Sequence, residues 1–223
     1  MNNIAILRSR FKDNSLFLSM WKKAFDFWGI QHRSLYADDI DTDVLNKYEA
    51  LLVTGEDYIP DNTYQTLDMY LANGGNILIS GELPDGLRKY FNGLKVKRIK
   101  RNNVHRCMRI KNKNGFQQWD DGEILFFTGT FNCNGIDYIT DGSEIENAEI
   151  PAFSEEMVKS CEKPGLWSGW RETDDPAVII KNCGRGKILF TPFAIGAMTE
   201  MYHPVSADSM RYLYANENHG IYL

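Results

Sequence analysis

Three short segments are apolar at every position instead of at alternate ones: Ile4-Ala5-Ile6-Leu7, Ala50-Leu51-Leu52-Val53 and Ile77-Leu78-Ile79. A strand with one wet face alternates polar and apolar residues, so a strand with no polar face must be covered on both sides. Helical spacing lies between these runs. Leu16, Met20 and Phe27 recur at helical intervals over 15–30, stopped by Gly29, and a second helix runs from a cap at Asn62 through Leu71 to Gly74-Gly75. A strand over 31–36 and a short helix over 42–47 complete the series. Strand and helix repeated in this order predict a three-layer α/β sandwich built on a mostly parallel sheet, with its ligand crevice beyond the carboxyl ends of the strands. The loops at that edge are 9–13, 54–60 and 81–86.

After residue 93 the pattern changes. Nine Lys/Arg and no Asp or Glu stand between Leu94 and Gln118, although the chain as a whole has a formal charge of -5. Val104, Met108 and Ile110 alternate with Arg109 and Lys111, and Arg101-Asn102-Asn103 has the composition of a turn, which predicts a basic hairpin. Its cations either keep edge strands from aggregating or form a patch for an anionic ligand or acidic partner. An internal partner also exists, because Asp137, Asp141, Glu144, Glu146, Glu149, Glu155 and Glu156 follow closely. Further strands are expected over 123–127, 176–181 and 187–191, the last two joined by a turn at 182–186, with a closing helix over 206–215. The expected organisation is one domain over 1–223 with a β-rich insertion at about 94–170.

Composition excludes several classes. With 223 residues, 43% of them hydrophobic, the chain can bury a sizeable core and is not a disordered segment. No run approaches the roughly 18 apolar residues of a membrane span, and Met1-Asn2-Asn3-Ile4 does not open like a signal peptide, so a cytoplasmic protein with no membrane partner is expected. Cys107, Cys133, Cys161 and Cys183 form no C-x-x-C pair, which removes zinc ribbons and thioredoxin-like motifs. The acidic balance argues against a nucleic-acid partner. Gly184-Arg185-Gly186-Lys187 lacks the spacing of a phosphate loop, and no motif names a cofactor.

The segments Tyr48-Glu49-Ala50-Leu51-Leu52-Val53-Thr54-Gly55 and Tyr70-Leu71-Ala72-Asn73-Gly74-Gly75-Asn76-Ile77-Leu78-Ile79-Ser80-Gly81 together resemble the class I glutamine amidotransferase-like superfamily. More narrowly they are similar to its β-galactosidase trimerisation-type domains, as is the ending that runs from Asp175 to Gly196. The resemblance covers about 1–93 and 174–215, and implies a flavodoxin-like fold and a connection with carbohydrate metabolism. Members that hydrolyse glutamine carry a nucleophilic Cys on the tight turn after a central strand. Here that turn reads Ile79-Ser80-Gly81-Glu82-Leu83-Pro84, with Glu82 at the position that matches the Cys. Met201-Tyr202-His203-Pro204 resembles the superfamily's His-Pro-Glu signature, but Val205 stands where the Glu belongs. Glutamine hydrolysis is therefore not expected, and the chain reads as a catalytically silent module that binds a small molecule, a carbohydrate or a protein partner.

Two rival readings remain open. In the first, Glu82 acts with His203 or a divalent metal as a hydrolase, with Glu56 and Asp57 across the crevice and Asp85 beside it. Converging carboxylates raise one another's pKa or hold a hard cation, whereas dispersed ones are simply solvated near helix N-termini. In the second, the domain is a structural piece of a homo-oligomer. Gly55 and Gly81 would let a ligand approach the backbone at the crevice. Trp167, Trp170, Phe193 and Tyr202, expected in loops, would offer aromatic faces to a sugar or pack at an interface.

Overall fold

Strand β1 (Asn3–Arg8) lies between two parallel neighbours, β2 (Gln31–Tyr36) and β3 (Ala50–Thr54), and β3 is followed in the sheet by β4 (Asn76–Ser80). The structure, a computed structural model, describes residues 3–10, 16–54, 58–100, 106–111, 120–127, 136–141, 145, 147–159 and 167–192. The connecting helices are α1 (Leu16–Phe27), the single turn α2 (Thr42–Leu45) and α3 (Asp61–Ala72). Each expected strand of this half is present. Asp41 caps α2, its Oδ1 accepting the Val44 N–H at 2.7 Å. Helix α3 begins one residue before the expected Asn62 cap, after Pro60, whose extended backbone leads into the first turn.

Period-two alternation divides the apolar strands between two layers. Ala5, Leu7, Leu51, Val53, Ile77 and Ile79 pack with Leu67, Tyr70 and Leu71 of α3. Ile6 and Leu52 point the other way and pack with Leu18, Trp21 and Phe25 of α1. Each fully buried Leu, Ile, Val or Phe among them contributes roughly 1.5–3 kcal/mol.

The sheet is mixed, not mostly parallel. Strand β11 (Gly186–Thr191) runs parallel to β4 and completes the order β2-β1-β3-β4-β11, but β10 (Trp167–Cys183) turns back from it and the strands beyond are antiparallel. These are β9 (Ala148–Lys159), β6 (Arg106–Ile110) and the edge strand β7 (Ile124–Phe127). The β-rich segment thus extends the same sheet, with its own apolar layer of Met108, Ile110, Ala152, Ala177 and Val178. Among the described residues no helix is long and apolar enough to cross a membrane.

The expected basic hairpin does not form. Strand β5 (Lys95–Lys100) pairs with β8 (Ile136–Asp141) in a separate two-stranded sheet, while β6 inserts between β7 and β9. In the β5–β8 register Lys95 stands opposite Asp141, and Arg109 of β6 reaches Glu155 of β9. The turn at 101–103 and the helix at 206–215 lie outside the described residues.

The Gly184-Arg185-Gly186 turn has a packing role. A Cβ on Gly186 would sit 2.0 Å from the Gly75 carbonyl oxygen, so the two backbones touch where β11 starts beside the end of α3. Arg185 then donates through Nε to the Ala72 carbonyl at 3.3 Å.

Candidate functional site

Four of the five parallel strands carry a small hydroxyl residue at or just past their carboxyl ends. Ser9 follows β1, Thr54 closes β3, Ser80 closes β4 and Thr191 closes β11, and all four are buried. Thr54 and Thr191 both stand in register with Ser80, so three hydroxyl residues form a row across adjacent strands. Just past this row the chain leaves β4 through Gly81, whose φ of +98° is a left-handed value that only glycine adopts freely. Its N–H donates to the Thr191 carbonyl at 2.9 Å, which ties the turn to β11.

This turn leaves Glu82 half-buried, beside Leu83, which is buried in the core under α3. Asp85 does not join it. The Asp85 side chain is 93% exposed and pairs with Arg88, Oδ1 to Nε at 2.9 Å, at the start of the 3-10 turn Asp85–Phe91. That turn is fastened to α3 by Tyr90 and Lys89, which both donate to Asp68. Burial, together with Asp68, pushes the Tyr90 phenol well above its usual pKa and keeps it a proton donor. Gly55, Glu56, Phe193 and His203 lie outside the described residues.

Trp167 and Trp170 are not loop residues. Both belong to β10 and stand opposite Lys159 and Met157 of β9. The run 167–183 continues as one long strand because β9 supplies a partner along it, at the cost of register shifts between Glu172 and Pro176.

Sequence reasoning missed a second group on this edge. Arg8, at the end of β1, and Arg10 place their guanidinium carbons 4.8 and 4.7 Å from the ring centre of Tyr36, the last residue of β2. Arg10 also pairs with Asp39 and, at 3.6 Å, with Asp38, and Asp39 raises its pKa. The signal was the polar residue directly after each apolar run, which core-seeking periodicity ignores.

The site's chemistry is that of hydrogen bonding. The half-buried Glu82 carboxylate is a hydrogen-bond acceptor beside a row of hydroxyl residues that is itself buried. Among the described residues no three His, Cys, Asp or Glu gather as a metal-binding group. Cys183 lies at the opposite edge, facing Gly186 across the β10–β11 hairpin, and burial raises its thiol pKa, which disfavours the thiolate.

The fold is that of several solved proteins. A β-galactosidase from Rahnella sp. R3 is 13% identical with a TM-score of 0.55, over 92% of this chain and 32% of its own. An exo-β-1,4-mannosidase from Opitutaceae bacterium strain TAV5 is 11% identical with a TM-score of 0.57, over 96% and 36%. A protein described as ThuA-like from Bacteroides uniformis is 9% identical with a TM-score of 0.56, over 86% and 82%. The chain therefore spans about a third of the two glycosidases and most of the ThuA-like protein. No family model and no curated protein matches the sequence.

Proposed function

We propose that the chain is an amidotransferase-like module without glutaminase chemistry, which binds a small molecule or carbohydrate in the crevice at the carboxyl edge of its parallel strands. The observation that carries this reading is the turn after β4. Gly81 turns the chain through a left-handed backbone and is tied to Thr191, and the residue that follows it, where glutamine-hydrolysing members carry a Cys, is Glu82. A carboxylate there accepts hydrogen bonds from ligand hydroxyls but supplies no thiolate for acyl transfer. The fold shared with domains of a β-galactosidase and a mannosidase supports a role in carbohydrate metabolism.

A thermal-shift screen against glutamine, mono- and oligosaccharides, sugar nucleotides and divalent ions tests the proposal, because a ligand at 100 times its Kd adds about 2.7 kcal/mol of stability. A carbohydrate or sugar nucleotide should raise Tm in the wild type and not in Glu82→Gln, and glutamine should release no ammonia. Ammonia release would overturn the reading. So would a carbohydrate shift that Glu82→Gln leaves intact, or silence of the wild type across the whole panel.

A further inference from the structure

The winding of the parallel half picks out one place along its carboxyl edge. In the order β2-β1-β3-β4-β11 the chain passes from β1 outward to β2 and then returns across β1 to β3. Its helices accordingly fall on opposite faces, α1 against Ile6 and Leu52 and α3 against Leu7 and Val53. In sheets wound both ways the ligand crevice opens at such a switch point, beyond the carboxyl ends of the two strands that flank it.

Arg8 ends β1 at that point. It follows Leu7, which stands beside Val53, so it is level with Thr54, and Thr54 is level with Ser80. Arg8 lies two residues past Ile6, Thr54 two past Leu52 and Ser80 two past Leu78, so period two puts all three on the α1 face of the sheet. The buried hydroxyl row thus has a cation at its β1 end. On the other side of Arg8 its register partner is Tyr36, whose ring centre is 4.8 Å from the Arg8 guanidinium carbon and 4.7 Å from that of Arg10. Arg10 is matched by Asp38 and Asp39, and all three side chains are more than a third exposed, so they form a solvated rim. Arg8 is partly buried, where water screens a charge less.

We infer that the carboxyl-edge crevice takes an anionic sugar, its phosphate or carboxylate held by Arg8 at the end of β1 and its hydroxyls by Glu82 past the end of β4. The inference rests on the crevice reading above and names its ligand class. A guanidinium offers a planar fork of N–H donors that fits phosphate and carboxylate alike. Two strand spacings, roughly 10 Å, separate β1 from β4, which keeps the ligand's anion clear of the Glu82 charge. A neutral sugar would leave the fork to water.

Isothermal titration of the full chain tests this, with D-glucose, D-galactose and D-mannose each set against its 6-phosphate and its uronic acid, and with inorganic phosphate alone. At least one anionic form should bind tenfold or more tighter than its neutral parent, and the series that shows the gain identifies the anion. Arg8→Gln should abolish that preference and leave the neutral sugar within about twofold. Arg8→Lys, which keeps the charge but loses the fork, should retain part of it. Glu82→Gln should weaken anionic and neutral forms alike. Should Arg8→Gln fail to fold, salt is the second measure: about 0.5 M NaCl should erode the wild-type preference severalfold and leave the neutral sugar unchanged. No preference in any sugar, one that Arg8→Gln or salt leaves intact, or inorganic phosphate bound as tightly as the sugar phosphate overturns the inference; neutral sugars that still depend on Glu82 would then keep the crevice reading. A preference lost in Arg8→Gln, with binding undiminished in Glu82→Gln, keeps the Arg8 contact and overturns the crevice reading instead.

Discussion

The two halves of the main sheet are stabilised by different physics. In the parallel half, β2-β1-β3-β4-β11, both faces of the inner strands are apolar and each meets a helix. In the antiparallel half the described residues bury one apolar face. Met108 and Ile110 of β6 are buried with Ala152, Ala177 and Val178, while Arg109 between them points to the other side and meets Glu155 of β9. Glu155 is 1% exposed, and Arg109 grips it through both Nε and, at 3.1 Å, Nη2, with Nη1 given to the Gly122 carbonyl at 2.9 Å. A buried carboxylate needs this full set of partners, because an unmatched charge in a low-dielectric interior is costly. One half is thus specified by volume, the other by charge placement.

The largest effects should break each half in its own way. Phe190→Ala removes a fully buried ring that packs against Phe91 at 5.6 Å, and should cost about 3–5 kcal/mol in urea unfolding. Arg109→Leu removes the guanidinium that Glu155 accepts from and should cost about 3–5 kcal/mol. Adding Glu155→Leu to that variant should restore most of the loss, since a buried pair replaced by apolar groups is often neutral or better. No second substitution should rescue Phe190→Ala so fully. Equal costs for the single and double charge variants would mean that packing, not charge, specifies both halves. A smaller effect is expected at the junction of α3 and β11. Gly186→Ala, with its Cβ 2.0 Å from the Gly75 oxygen, should cost about 1–3 kcal/mol.

The same difference governs what the sequence disclosed. Strand 76–80 was legible to the residue because a continuous apolar run between helices admits one arrangement, and strand 31–36, which is largely polar, because it follows the glycine that stops α1. Alternation over 104–111 disclosed strand character but not pairing, because pairing there depends on acidic partners some 45 residues away, such as Glu155 for Arg109. A local turn signal could not weigh that contact. At the candidate site, Gly81 and Glu82 were visible through the glycine and the missing cysteine. The buried hydroxyl row of Thr54, Ser80 and Thr191 was not, because only the sheet register brings those residues side by side.

Alkaline titration sharpens the account of the parallel half. Tyr70 of α3 is buried against the sheet, its hydroxyl donating to the Tyr48 carbonyl at 3.0 Å, and burial raises its pKa to about 12. The unfolded chain loses this proton near pH 10. The protonated phenol's contribution is therefore full below pH 10 and is lost as pH rises to about 12, because unfolding then releases the proton. Tyr70→Phe should cost about 1 kcal/mol at pH 7 for the lost hydrogen bond. Measured by urea unfolding at pH 9 and pH 11, its stability should fall less than that of the wild type. An unchanged fall would assign the alkaline sensitivity to Tyr64 and Tyr90, whose pKa values burial also raises.

The weakest expected effect lies on the rim of the charged face. Lys111 pairs with Glu172 at 3.1 Å, but their side chains are 39% and 67% exposed, so water and salt screen the pair. Lys111→Gln should cost less than about 1 kcal/mol, and the difference from the wild type should vanish near 1 M salt, where the screening length falls to about 3 Å. Arg109→Leu, whose partner is buried, should keep most of its cost under the same conditions. Glu155 is buried and Glu172 is not, so salt should separate the two substitutions. If both lost their cost together in salt, Glu155 would be reached by solvent ions, and the antiparallel half would rest on its apolar face alone.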